Sequence, residues 1–189
     1  MKRKVLVIDT ETGGLDASLF SLLSVAAIVL NEGVVEEEYY TLVNEDVIIV
    51  EDEAMKINRL DLERNRSEGK NPRQVVNELN NLILKHGIRR GVTIVAHNAP
   101  FDVSYMKRLY RLAGVDYSKW FAYRSLCTVT GALLLDQAGR ITLPGGSASL
   151  DNLTTLWNLK LDRPDGHNAL DDARATVLVY NKLIQMLKG

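Results

Sequence analysis

Lys2-Arg3-Lys4-Val5-Leu6-Val7-Ile8-Asp9-Thr10-Glu11-Thr12 opens the chain with a short, β-branched apolar run that ends in carboxylates. Lys2 to Asp9 reads as a buried strand. A spacing of two places Asp9 and Glu11 on the same face of extended chain. Two carboxylates there repel each other and lose hydration unless a cation lies between them. The competing reading is that the strand has already ended and both acids are solvated.

Outward from that strand, Leu22 to Leu30 and Val34 to Val43 read as two more strands. Asn31-Glu32-Gly33 between them suits a hairpin turn, so the first three strands should form an antiparallel meander. Glu53 to Ile57 reads as one helical turn. Pro72 to His86 reads as a helix with an apolar stripe at Val75, Val76, Leu79, Leu82 and Ile83, stopped by Gly87. Val92 to Ala96 is another buried strand, and Pro100 to Ala113 a helix ending at Gly114. Arg124 to Val129 is a short strand or a helix start, with apolar residues continuing to Leu135. Asp136 to Ser149 is a polar, glycine-containing excursion, Leu150 to Leu159 a short helix, and Asn168 to Lys188 the final long helix. Three strands followed by alternating helices and strands give an α/β fold, a mixed sheet with helices on its faces. Residues 1–189 should form a single domain, with no linker.

Composition fits that size. The 189 residues are 46% hydrophobic and 25% charged, ordinary for a globular chain. A single cysteine, Cys127, excludes an internal disulfide and fits a reducing compartment. Met1 to Ile8 imitates a signal peptide, but its apolar run is too short and Asp9 interrupts it. The longest apolar stretch, Leu22 to Leu30, falls well short of the roughly 20 residues that span a bilayer. The expectation is a cytoplasmic protein with no membrane partner. A formal net charge of −1 counts against a uniformly basic nucleic-acid binder. Local clusters at Arg59/Arg64/Arg66, Lys70/Arg73, Arg89/Arg90 and Lys107/Arg108/Arg111 suit either solvated faces or a nucleic-acid partner.

Two further acids sit where apolar residues are expected. Asp102, in His97-Asn98-Ala99-Pro100-Phe101-Asp102, tops the stripe formed by Met106, Leu109 and Ala113. The helix dipole alone is a sufficient reason for an acid in a first turn. Asp172 lies beside the stripe Ala169, Ala173, Val177, Tyr180, Ile184 and Leu187, while Asp171 points away. A carboxylate so placed needs a cation, a hydrogen-bond network or a surface opening. His167 lies just before the same helix. Hard oxygen ligands without cysteine favour Mg²⁺ or Mn²⁺ over zinc. Two such ions can clamp the attacking and leaving oxygens of a phosphodiester, and a nearby histidine can take a proton from water.

Three motifs occur in order: Asp9-Thr10-Glu11-Thr12, His97-Asn98-Ala99-Pro100-Phe101-Asp102 and His167-Asn168-Ala169-Leu170-Asp171-Asp172-Ala173. Together they resemble the DEDD exonuclease superfamily in its histidine-bearing, DnaQ-like branch, over nearly the whole chain. The resemblance implies a ribonuclease H-like fold with a central five-stranded mixed sheet. It implies two Mg²⁺ or Mn²⁺ ions. Asp9, Glu11 and Asp172 would hold the first, Asp9 would bridge to the second, and Asp102 would reach a metal directly or through water. His167 would be the general base and Asp171 a surface residue. Thr12, Gly13, Gly14 and Leu15 would hold the terminal nucleotide, with Leu15 against the last base. Phe101 belongs either to that pocket or to the core.

Two departures bear on substrate. Gly13 stands where many members carry a second threonine. Asn58 stands near where many carry a histidine; it can still hydrogen-bond, and it is counted with the substrate-binding residues. The implied activity is 3′-to-5′ hydrolysis of single-stranded or frayed ends, DNA favoured over RNA, releasing nucleoside 5′-monophosphates. A polymerase partner or a homodimer is compatible with it. The alternatives are a non-catalytic nucleic-acid-binding module of the same fold, an exoribonuclease, or a metal-dependent hydrolase of small phosphate esters.

Overall fold

The computed structural model describes residues 4–88, 91–160 and 168–188. Strands β1 (Val5–Thr12), β2 (Leu22–Asn31), β3 (Val34–Leu42), β4 (Thr93–Ala96) and β5 (Leu126–Cys127) form one sheet in the order β3-β2-β1-β4-β5. β2 runs antiparallel to β1 and β3, while β4 is parallel to β1 and β5 to β4. The expected meander and five-stranded mixed sheet are both present. Helices are α1 (Asp52–Asn58), α2 (Leu62–Glu68), α3 (Pro72–Lys85), α4 (Ala99–Leu112), α5 (Thr128–Gln137), α6 (Leu150–Leu156) and α7 (Ala169–Leu187).

β1 lies at the centre and is buried on both faces, which is why Val5 to Ile8 reads as a continuous apolar run. Leu6 and Ile8 face the larger core, packed with Val76 and Leu79 of α3 and Tyr105, Met106 and Leu109 of α4. Val5 and Val7 face the other side, against Ala169, Ala173 and Val177 of α7. A third cluster joins α5 and α6 to the outer side of α7 through Leu135, Leu153, Val179 and Leu183.

The strand runs further than expected. It continues through Asp9 and Glu11 to Thr12, so both acids belong to the pleat and are not in solvated chain beyond it. Opposite its end the register shifts: Glu11 faces Ser24, but Thr12 faces Leu22. This bulge-like irregularity twists the strand locally. Period two puts Asp9 and Glu11 on the α7 face and Thr10 on the α4 face.

Helix ends follow their sequence signals. Asn71 caps α3 in a reciprocal capping box with Gln74, and Pro72 occupies the first turn. Asn168 accepts from the Asp171 amide and starts α7. Arg124 to Val129 resolves into the two residues of β5 followed directly by α5. α2 has no apolar stripe, so no periodicity marks it in the sequence. Its buried contact is Asn65, whose amide donates to the carbonyls of Leu23 (2.6 Å) and Val43 (2.9 Å). Among the described residues no helix is long and apolar enough to cross a membrane.

Candidate active site

β1 delivers Asp9 and Glu11 to the face covered by α7, and the first turn of α7 delivers Asp172 back to them. Each of the three offers a carboxylate oxygen, and these oxygens lie within 4.8 Å of one another. Asp172 is only 8% exposed. Three acids this close fit a hard divalent cation, because without one their charges oppose each other in a partly dry site.

Asp171 is excluded from this group. It accepts from Arg174 Nη1 at 3.1 Å and from Asn168 Nδ2 at 2.5 Å. The helical register assigned to the two neighbouring aspartates is therefore the one found. Asp171 lies at the edge of the helix with part of its side chain exposed, most of the carboxylate being covered by these partners.

The acids open into a cavity of about 160 Å³ whose wall also includes Asp102, Phe101 and Ile57. Residues 6–180 match the protein family described as Exonuclease. The chain belongs to the exonuclease family.

Among curated relatives of this exonuclease-family chain, the PolC-type DNA polymerase III of Thermotoga petrophila is 28% identical over 186 residues, 97% of this chain and 12% of that protein. Ribonuclease T of Haemophilus influenzae is 29% identical over 195 residues, 97% of this chain and 80% of that one. DNA polymerase III subunit epsilon of Salmonella typhimurium is 34% identical over 91 residues, 48% of this chain and 35% of that one. E. coli exonuclease I, solved in complex with a dT13 oligonucleotide, has a TM-score of 0.80 at 19% identity, covering 99% of this chain and 42% of that chain. That likeness establishes the fold, which is ribonuclease H-like. The chain thus spans only part of the polymerase and exonuclease I proteins it matches.

Asp102 takes a different position from the other acids. It projects from the first turn of α4, 3% exposed, and its Oδ1 accepts from Thr10 Oγ1 at 2.8 Å. It lines the cavity but is not among the three acids that meet within 4.8 Å. Burial pushes its carboxyl up to about 7, against the lowering effect of the hydrogen bond from Thr10; the negative charge of Glu11 adds to the rise. The folded value lies above the roughly 3.9 of an unfolded aspartate. This group's contribution to stability is therefore full below about pH 4 and is lost as pH rises through about 7. Asp102→Asn is expected to cancel that loss. Without divalent cations its Tm should exceed the wild type's at pH 8, and the gap should shrink toward pH 5. A gap that does not change with pH would show that burial of charge is not the cause.

The segment expected to hold a terminal nucleotide runs on from β1 directly after Glu11 as a loop, and none of Thr12, Gly13, Gly14, Leu15 or Asn58 lines the cavity itself. The Thr12 carbonyl accepts from Asn58 Nδ2 at 3.0 Å, the Gly13 carbonyl from the Glu51 amide at 2.7 Å, and the Gly14 carbonyl from Thr12 Oγ1 at 2.8 Å. Asn58 also accepts from the Leu60 amide at 3.1 Å, so both ends of its side chain hold backbone. The structure thus places Asn58 as a latch between α1 and the loop. Leu15 stands 82% exposed at the crest of the loop. Phe101 lines the cavity and also packs on Tyr105, with ring centroids 5.1 Å apart, so it serves pocket and core together.

Gly13 has a local reason. A Cβ there would lie 2.4 Å from the Ile49 carbonyl oxygen and 2.9 Å from Val50 Cγ1. The 47–51 segment runs against the loop, so the threonine common at this position does not fit. Gly13→Thr is expected to cost about 1–3 kcal/mol of stability through overpacking. Urea unfolding measures this, and a variant as stable as wild type would refute the close approach.

Sequence reasoning gave no role to Thr10, Ile57, His97 or Asn98, yet all four line the cavity. His97 and Asn98 stood in the second motif, at the end of β4. His97 Nδ1 lies 2.8 Å from Thr128 Oγ1, which fixes the ring. Asn98 adopts a left-handed conformation (φ 69°) that starts α4. Ile57 carried no signal beyond its place beside Asn58. His167 lies outside the described residues, as do Arg89 and Arg90. A larger cavity, about 570 Å³, lies at the opposite end of β1 beside Gly33 and Tyr180. It brings no group of metal-binding acids together among the described residues.

Proposed function

We propose that this chain is a single-domain, metal-dependent 3′-to-5′ exonuclease that hydrolyses phosphodiester bonds at the end of single-stranded or frayed nucleic acid. The observation that carries the reading is the meeting of Asp9, Glu11 and Asp172 within 4.8 Å at an open cavity. Asp9, Glu11 and Asp172 would hold Mg²⁺ or Mn²⁺, two ions in all, with Asp102 contributing from the α4 side. When bound, such ions stabilise charge on the attacking and leaving oxygens of a phosphodiester. His167, on the strength of its motif, takes a proton from the attacking water. The loop from Thr12 to Leu15 grips the terminal nucleotide, with Leu15 and Phe101 offering apolar surface to its base. Thr10 holds Asp102 in place through its hydroxyl.

DNA is the favoured substrate, supported by relatives named as DNA polymerase III proteins. Those names also make a polymerase a candidate partner. Action on RNA is a second reading, favoured by the Ribonuclease T relative of which this chain covers 80%. A non-catalytic binding module would have no need of the complete set of acids. A cytoplasmic location belongs to the same reading.

Substrate form tests it. A terminal base must leave its pair to reach the acids, at a cost averaging about 1.4 kcal/mol per stacked step. Single strands should therefore be degraded faster than blunt duplexes, and circular single strands should resist. Matched DNA and RNA oligomers separate the two substrate readings. Rapid linearisation of circles would mark an endonuclease and end this proposal.

A further inference from the structure

We infer that Arg108, braced by Glu45 and acting with Tyr105, is a positioning residue that sets where the Gly13–Phe20 loop holds the 3′-terminal nucleotide. The inference rests on the exonuclease reading above.

Asp102, Tyr105 and Arg108 recur every three residues along α4, and all three reach toward the β1 side of the molecule. Tyr105 Oη donates to the Gly14 carbonyl at 2.6 Å. Arg108 Nη1 donates to the Ala17 carbonyl at 3.1 Å. These two carbonyls stand on either side of Leu15, so α4 fixes the crest of the loop from both directions. The same helix places Asp102 in the cavity wall. One rigid element therefore sets the separation between the acid site and the loop.

The guanidinium of Arg108 has little freedom of its own. Its Nε and Nη2 donate to the two oxygens of Glu45 at 3.0 and 2.7 Å, and Glu45 Oε1 also accepts from the Leu22 amide at 3.0 Å. Both side chains are largely covered, 10% exposed for Arg108 and 4% for Glu45. A two-pronged pair to a carboxylate that is itself tied to β2 orients the third prong onto Ala17. Leu15 and Leu19 are mostly exposed, and Ala17 packs on the larger core at the base of the loop. Polar pins hold its crest. Neither Tyr105 nor Arg108 belongs to the acid cluster. Loosening them should weaken capture of the terminal nucleotide and leave the bond-breaking step alone.

Arg108→Lys isolates the effect. The ammonium keeps a charge for Glu45 but cannot reproduce the planar fork that serves Glu45 and Ala17 together. Tyr105→Phe deletes only the hydroxyl that holds Gly14, and it serves if the lysine variant folds poorly. Steady-state hydrolysis of a single-stranded oligonucleotide with Mg²⁺ should show KM raised about ten-fold in Arg108→Lys and a few-fold in Tyr105→Phe, with kcat within about two-fold of wild type. Bis(p-nitrophenyl) phosphate has no base or sugar for the loop to grip, and all three proteins should hydrolyse it alike. Unchanged KM in both folded variants overturns the inference. So does an equal loss of kcat on both substrates, which would mean the residues only hold the fold. If the wild type cleaves neither substrate, the exonuclease reading falls first and takes the inference with it.

Discussion

Asp172→Ala is expected to lower turnover by at least about a thousandfold, roughly 4 kcal/mol of transition-state stabilisation, while Asp171→Ala stays near the wild-type rate. The two residues are neighbours of the same chemistry on one helix, so the comparison isolates position. Asp172 brings its oxygen within 4.8 Å of those of Asp9 and Glu11. Asp171 faces away, held by Arg174 and Asn168. Removing Asp172 vacates a cation ligand and leaves Asp9 and Glu11 with less reason to hold an ion between them. Steady-state rates on a labelled oligonucleotide check the expectation. Activity retained by Asp172→Ala but lost in Asp171→Ala would mean that the wrong face of α7 has been assigned to the site.

His167→Ala is expected to lose turnover by about 10² to 10⁴, the usual contribution of general-base assistance. It should still bind a 3′ end in the presence of Mg²⁺, because the acids remain. The imidazole must be neutral to accept a proton, and an unperturbed value near 6.5 allows that at neutral pH. The acidic limb of the rate profile should therefore flatten in the variant. Turnover and binding measured side by side decide the matter. Near wild-type turnover from pH 6 to 9 would leave His167 a resemblance to the family histidine and nothing more.

The elements that sequence made legible are those driven by apolar periodicity. β1 and β2 carry continuous apolar residues, and α3, α4 and α7 carry stripes, so their burial writes itself into the pattern; β3 is mostly exposed and is marked instead by its turn from β2. α2 left no such mark. Its surface is laced by exposed pairs between Arg64 and Glu68 and between Arg66 and Glu63, and it docks through the hydrogen bonds of a single asparagine. Hydrogen bonding of this kind has no period for a sequence to show.

The candidate site was legible through its motifs taken together. Asp9, Glu11 and Asp102 each admit an ordinary reading alone, as Asp102 does at a helix N-terminus, but with Asp172 they follow in order the pattern of a carboxylate metal site. What could not be read is the support around them. Glu45 and Arg108 are 63 residues apart, and nothing local pairs them. Gly13 showed only as a departure, until the approach of Ile49 and Val50 explained it. Charge clusters were the least informative signal. Arg108 is buried in its pair with Glu45, while Arg64, Arg66 and Lys70 stand at the surface in weak pairs with glutamates of the same chain, so one kind of cluster hides both roles.

The most direct measurement is release of the terminal nucleotide from a 3′-end-labelled single-stranded oligonucleotide, with Mg²⁺ or Mn²⁺ and with EDTA, by wild type and Asp172→Ala. The expected result is immediate release of a labelled nucleoside 5′-monophosphate by the wild type with metal, and none with EDTA or from the variant. Release that persists in EDTA, release by Asp172→Ala at the wild-type rate, or no release by the wild type with either ion would contradict a metal-dependent exonuclease site built on Asp9, Glu11 and Asp172.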